Sequence, residues 1–457
     1  MNRVTKRAWM MGVFVIFLLA GMAVFVAEYI LYSGKWVVSA GSPHVYNSSN
    51  LGCGTVVDRD DVILLDIGDG RTYSDNSETR ASTMHWLGDR KGNIRAGAVS
   101  NYAAIMSGFD KINGLYDYSG VRGVERLTLS ARVQNAALRA MDGRKGTIGI
   151  YNYKTGEILC ALTTPTYDPD QVPDIAHDTS GTYEGVYLNR FLQSAYVPGS
   201  IFKVVTTAAA LETVPDILEH TFTCTGSYAY GTEKVTCETA HGSLTLKTAL
   251  AHSCNCSFAQ IAELVGKKNM EKYVRKFGIT EPVSFDGVKT VSGHYDISET
   301  GAASFAWSCI GQHSDLINPC RFMTFMGTIA SGGEGVYPYL VSSVERGEET
   351  IYEAKEEKTE RIMSEKTAGI LQEYLRNNVM TIYGDSHFPG LEVCAKSGTS
   401  QLGGDQKSNA MFSGFILNED YPLAFIVVVE NGGYGSAACV PILSRVLKEC
   451  KAVLDEK

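Results

Sequence analysis

The spacing of apolar positions changes several times along the chain, and each change marks a candidate element. An uncharged apolar run fills residues 8–27 and resumes after Glu28 with Tyr29-Ile30-Leu31. About 20 such residues can cross a bilayer as one helix. Residues 36–125 mix short apolar runs with glycine and polar turns. Within them, 54–57 and 62–65 read as one or two strands of a small module. From residue 127 the signals strengthen. Ser130 is a candidate N-cap for a helix over 131–141, whose alanines, Leu138 and Arg139 favour that state. Strand-like runs at 146–151 and 157–162 meet across Lys154-Thr155-Gly156, a hairpin signal, and Pro165 ends the second. Small apolar residues run unbroken from Ser200 to Leu211 and predict a helix, as do residues 258–265 and a segment led by Pro319 with a glycine-rich exit. Residues 342–360 are charged and read as a solvated excursion or an edge hairpin. Three β-rich runs at 391–395, 411–417 and 423–430 predict an antiparallel meander, which an amphipathic helix over 437–451 can cover.

Charge refines the first element. Arg3, Lys6 and Arg7 precede the apolar run, which places the N-terminus in the cytoplasm and the remainder outside. The run exceeds the 7–15 residues of a signal-peptide core, so an uncleaved anchor is preferred to a cleaved leader. About 420 residues follow, enough for two or three domains. A net charge of −9 with no basic block in that part excludes nucleic acid as a partner. There is no solenoid-like repeat and no low-complexity tract.

The 11 cysteines are an odd number, so at least one is unpaired in a monomer. Cys224 and Cys237 flank a hairpin-like excursion, and the sequence leaves open whether they are bridged or reduced. Cys254, Cys256, His241 and His252 match no recognised zinc spacing. With no Cys-x-x-Cys pair and no His-Glu-x-x-His helix, neither metal ligands nor an organic cofactor are expected. The nine histidines read as ordinary polar residues.

Three short motifs carry the candidate chemistry. Pro198 and Gly199 form a turn ahead of Ser200-Ile201-Phe202-Lys203. At i and i+3 of a helix, Ser200 and Lys203 are neighbours. A serine hydroxyl needs a base, and a lysine serves once burial or another cation lowers its pKa. The helix N-terminus also offers backbone N–H groups to an oxyanion. Ser253-Cys254-Asn255 follows, then Lys396-Ser397-Gly398-Thr399. Each motif alone has a plain alternative: a surface lysine on a helix, a local Ser/Asn cap, an edge lysine that discourages strand pairing. Their order and flanking residues decide otherwise.

Together they resemble the penicillin-binding proteins and serine β-lactamases, and within that group the class B penicillin-binding proteins. The likeness includes Thr155-Gly156-Glu157-Ile158, Tyr167-Asp168-Pro169, His241-Gly242, Ile310-Gly311-Gln312 and Gly432-Gly433, and more loosely Asp58-Arg59. Cys53, Asp61, His313 and Asn318 stand where relatives usually have arginine, glycine, glycine and threonine. The resemblance implies an α/β (α+β) architecture: an antiparallel sheet flanked by helices, an N-terminal membrane helix, and a small mixed pedestal. The expected domains are 1–35 (cytoplasmic tip and anchor), 36–125 (pedestal) and 126–457 (catalytic). It implies a D,D-transpeptidase of bacterial peptidoglycan, acylated on Ser200, with Lys203 as base and Ser253 as proton relay. Asn255 would hold a substrate amide. Lys396, Ser397, Gly398 and Thr399 would bind the substrate carboxylate and backbone, with the N–H groups of Ser200 and Thr399 as the oxyanion hole. Expected partners are stem peptides, β-lactam inhibitors, and a membrane glycan polymerase with other wall-synthesis proteins, since no glycosyltransferase domain fits the short N-terminal module. Rival readings on the same fold are a β-lactam hydrolase, a β-lactam sensor and a catalytically silent scaffold.

Overall fold

The computed structural model describes residues 2–37, 54–67, 71–94, 96–114, 121–401 and 407–456. Cys53 lies outside them. The first element is the helix Asn2–Val37. Its segment Arg3–Gly34 contains an 18-residue stretch of mean hydropathy 2.6 and is long and apolar enough to cross a membrane. Its end meets the folded body where the Tyr29 hydroxyl donates to the Lys111 carbonyl at 2.6 Å.

Beyond it, the chain is organised on two sheets. The five-stranded one runs, from edge to edge, Val393–Ser400, Asn409–Ile416, Leu423–Val429, Gly146–Asn152 and Ile158–Thr164. All its pairings are antiparallel. Successive residues of a strand face opposite sides, and here both sides are covered. Phe425, Val427 and Val429 pack under the helices Ala131–Met141 and Gly435–Asp455. Ala424, Ile426 and Val428 pack into the larger helical core on the other side. That is why the run reads as unbroken apolar residues rather than an alternating pattern. The hairpin, the meander and the closing helix all form where the sequence places them.

The second sheet draws strands from both sides of residue 126. Its order is Glu349–Glu353, Val341–Arg346, Gly123–Leu127, Gly54–Val57, Ile63–Ile67 and Arg71–Tyr73. The charged segment after 340 is thus an edge hairpin of the N-terminal sheet. Asp58 joins the two parts. Its carboxylate accepts from the backbone N–H groups of Asp60 and Val62 on one oxygen and of Ala131 on the other, at 2.8–2.9 Å. It caps the helix that Ser130 was expected to cap, and Ser130 makes no side-chain cap bond. Asp61, where relatives usually have glycine, adopts φ +63°, a backbone conformation that glycine reaches without strain.

Glu125 sits in the middle of this second sheet, fully buried, with neither carboxylate oxygen hydrogen-bonded among the described residues. Burial pushes its pKa up to about 8, and Asp286 nearby adds to the shift. Its ordinary value is 4.5. The folded chain therefore keeps a proton that the unfolded chain releases. The stability contribution is fully present below about pH 4.5 and is lost as pH rises toward 8. Glu125→Gln is expected to be more stable than the parent at pH 8, on the order of 3 kcal/mol, with the difference shrinking at pH 5. Denaturant midpoints at the two pH values check this, and a gap independent of pH contradicts it.

Candidate active site

Ser200 lies in a 3-10 turn, Gly199–Phe202, that continues directly into the helix Lys203–Thr213. In a 3-10 turn residues three apart eclipse. Ser200 Oγ is accordingly 3.1 Å from Lys203 Nζ. Gly199 has φ +56°, and a Cβ there would meet the Thr399 carbonyl at 2.6 Å. A Cβ on Gly398 would meet the Pro198 carbonyl at 2.7 Å. Two glycines thus let the serine turn press against the edge strand Val393–Ser400. The turn is further held by the Gly199 N–H donating to the Gly311 carbonyl at 2.7 Å. Arg190 and Tyr196, just upstream, both bind Glu430 at 2.8 Å.

Ser253 occupies the left-handed region, φ +54°, in the sharp turn between the helices Leu246–Ala251 and Asn255–Val265. That turn aims Ser253 and Asn255 at Lys203. Nζ of Lys203 donates to the Ser253 carbonyl at 2.6 Å and to Asn255 Oδ1 at 2.7 Å, and stands 3.1 Å from Ser253 Oγ. These two carbonyl oxygens can only accept, so they take both protons of a neutral amine. The one remaining lone pair can then accept from either hydroxyl 3.1 Å away, that of Ser200 or that of Ser253. Lys203 is completely buried. Burial first, and the charge of Lys396 second, hold its pKa well below the ordinary lysine range. The geometry is that of a base.

Lys396 is also fully buried, although it lies on an edge strand. Burial brings its pKa down to about 7. Its Nζ is 3.1 Å from Ser253 Oγ and donates to the Ser397 carbonyl at 2.9 Å. The three motifs therefore form one chain of contacts: Ser200 Oγ, Lys203 Nζ, Ser253 Oγ, Lys396 Nζ, each step 3.1 Å. The burial of Lys396 rules out the reading of an exposed lysine that guards the edge. Ser200, Ser253, Asn255, Ser397 and Thr399 line a common cleft of about 450 Å³, while Lys203 and Lys396 are buried behind it and reach it through the contacts above.

The structure adds contacts from residues outside the three motifs. The Tyr383 hydroxyl accepts from the Ser397 N–H at 3.0 Å and lies 3.4 Å from Lys396 Nζ, setting the lysine's direction. Gln312 donates to the Thr399 carbonyl at 3.1 Å. Asn318, in place of the usual threonine, caps the helix Pro319–Ala330 through the Arg321 N–H. Its amide nitrogen also reaches the carbonyls of Phe191, Leu192 and Ser194. Beside the cleft, Cys224, Cys237, His241 and Cys254 come together, all as free side chains with no disulfide. Sequence spacing could not reveal this group, because its members leave a strand, a hairpin, a turn and a helix start. The only hint was the crowding of Cys and His on both flanks of the hairpin.

Comparison with known proteins bears on this geometry. Residues 146–448 match the family described as the penicillin binding protein transpeptidase domain. The peptidoglycan D,D-transpeptidase PbpA of Mycolicibacterium smegmatis is 27% identical over 350 residues, 69% of this chain and 70% of that one. Among solved structures, the D,D-transpeptidase domain of a peptidoglycan glycosyltransferase from Eggerthella lenta superposes with a TM-score of 0.75 at 25% identity, covering 88% of this chain and 98% of that one. The penicillin G acyl-enzyme complex of penicillin-binding protein A from M. tuberculosis has the same fold, with a TM-score of 0.75 at 23% identity over 87% and 99% of the two chains.

Proposed function

This chain belongs to the penicillin-binding protein transpeptidase family, and from that premise we propose how its own residues carry out D,D-transpeptidation of peptidoglycan. The observation that carries the reading is the unbroken chain of 3.1 Å contacts from the Ser200 hydroxyl to Lys396.

Ser200 Oγ attacks the carbonyl of the penultimate D-Ala of a stem peptide, and its proton passes to the lone pair of Lys203. The N–H groups of Ser200 and Thr399 receive the oxyanion, which they stabilise without reorganisation. When the bond to the terminal D-Ala breaks, the leaving nitrogen takes a proton through Ser253. An amine from a second stem peptide then attacks the acyl-enzyme, returns Ser200, and leaves a cross-link. Asn255 orients the acyl side chain through its amide. Lys396, Ser397 and Thr399 hold the terminal carboxylate, and Gly398 lets the substrate backbone lie close. A β-lactam is attacked in the same way, but its amine stays tethered in the adduct and blocks the second step.

The helix Asn2–Val37 anchors the enzyme with its N-terminus in the cytoplasm and the cleft outside. There the growing glycan is delivered, which makes a membrane glycan polymerase the natural partner. The test is intact mass of the full chain in detergent, followed over time after mixing with penicillin G. The expected result is a long-lived adduct that maps to the Ser200 peptide. Rapid loss of the adduct would instead indicate a β-lactam hydrolase, and no adduct at all a silent scaffold.

A further inference from the structure

The sulfur atoms of Cys224, Cys237 and Cys254 and a ring nitrogen of His241 all lie within 4.8 Å of one another. Cys224 Sγ and Cys237 Sγ are 3.5 and 3.7 Å from His241 Nδ1, and Cys237 Sγ is 3.7 Å from Cys254 Sγ. A disulfide requires about 2.05 Å between sulfurs, so these spacings are not those of a bonded pair. They match another arrangement. Around zinc, with Zn–S near 2.3 Å and Zn–N near 2.0–2.1 Å, the edges of a tetrahedron are about 3.8 Å for S···S and about 3.5 Å for S···N.

The surroundings favour ligated sulfur. The Asn255 N–H donates to Cys237 Sγ at 3.1 Å. The Ser257 N–H and hydroxyl donate to Cys254 Sγ at 3.4 and 3.2 Å. Outer hydrogen bonds of this kind orient metal ligands and tune their basicity. Cys256, although adjacent in sequence, is turned toward the Val235 carbonyl at 3.9 Å. His252 lies beside His241, with ring centroids 5.6 Å apart and planes tilted by 41°.

We propose that Cys224, Cys237, His241 and Cys254 bind one zinc ion in a closed Cys3His tetrahedron that fixes the wall of the active-site cleft. Four protein ligands leave no open position, so the ion is structural and takes no part in acyl transfer. Its place in the fold gives it leverage. Cys224 ends the strand Thr221–Cys224, Cys237 leaves the hairpin strand Glu233–Thr236, and Cys254 lies between Ser253 and Asn255. The hairpin already touches the site, since Asn255 Nδ2 donates to the Thr236 carbonyl at 2.9 Å. The ion would lock hairpin, turn and helix start into one unit and so hold Ser253 and Asn255 against Lys203.

The test begins with the full chain purified in detergent under reducing conditions and without chelator. Elemental analysis is expected to find one zinc per chain. Exchange for cobalt(II) is expected to give thiolate-to-metal charge-transfer absorption and the intense ligand-field bands of a tetrahedral site. Cys237→Ser and His241→Ala should each weaken zinc binding at least about tenfold, while the remote Cys439→Ala keeps the metal. If a variant fails to fold, the cobalt spectrum of the parent still decides, because the charge-transfer band requires cysteine ligands. Free alkylation of all three thiols, Cys224, Cys237 and Cys254, in zinc-supplemented protein would overturn the proposal. So would a Cys237–Cys254 disulfide in the reduced preparation, or stoichiometric zinc in Cys237→Ser. These readouts do not depend on acylation, so they stand apart from the transpeptidase reading. If both hold, chelation should also slow acylation of Ser200.

Discussion

Lys203→Ala is expected to slow acylation by penicillin G by about 10³- to 10⁴-fold, the upper range for loss of a positioned general base. The protein should still bind the drug reversibly, because Lys203 faces the serine rather than the outer cleft. The reason lies in proton placement. Two carbonyl oxygens, of Ser253 and Asn255, take the N–H protons, and the lone pair faces Ser200 Oγ at 3.1 Å. Only the neutral amine can accept the serine proton. Burial first, and the charge of Lys396 second, hold the pKa of Lys203 well below its ordinary value, so the neutral form becomes available at lower pH than for an exposed lysine. The acylation rate should therefore rise with pH along an acid limb set by that lowered pKa, then level off. Stopped-flow acylation from pH 5 to 9 checks the shape. A rate that keeps rising up to the ordinary lysine range would mean that Lys203 enters the reaction charged, and would remove it as base. Ser200→Ala, in the same assay, should give no adduct.

The second large effect belongs to Lys396. Removing one member of a buried ion pair costs about 3–5 kcal/mol, and Lys396 is the buried cation proposed to meet the carboxylate of substrate or drug. Lys396→Ala is expected to reduce the second-order acylation constant by roughly 10² to 10³-fold. Two further readouts separate this from general damage. Esterifying the penicillin carboxylate should hurt the parent far more than the variant. The acid limb should also move to higher pH in the variant, because the charge of Lys396 is one of the two causes that depress Lys203. Equal losses with acid and ester would place the carboxylate elsewhere.

Much of this site was legible in the sequence, for a physical reason. Ser200 with Lys203, Ser253 with Asn255, and Lys396 with Thr399 are each local sets, whose spacing fixes their mutual geometry as soon as the helix, turn or strand is known. The same holds for the meander 393–429, where the lack of alternation reflected burial on both faces. What escaped was long-range. Tyr383 sits in a π-helical turn, Val379–Tyr383, with no motif of its own, and its role depends on the strand it meets. The charged segment 342–360 read as a solvated excursion or an edge hairpin, and it holds an edge hairpin, but nothing local revealed which sheet it completes. Glu125 carried no signal in the sequence, because its burial depends on the strands and helix that the fold brings around it. The capping of 131–141 by Asp58 rather than Ser130 is a contact across 73 positions of chain.

The strand Val393–Ser400 pairs with Asn409–Ile416 on one side and has no strand partner on the other among the described residues. An open edge of this kind is a template for association with further copies of a chain. In this protein the guard is the serine turn, pressed so closely that only glycine fits at 199 and 398. Catalytic shape and colloidal safety therefore share one contact. Substitutions that loosen the turn, such as a bulky residue at Gly199, should yield protein that is both inactive and prone to self-association. Resistance to a covalent inhibitor is hard to reach by reshaping this turn, because the same change exposes the edge.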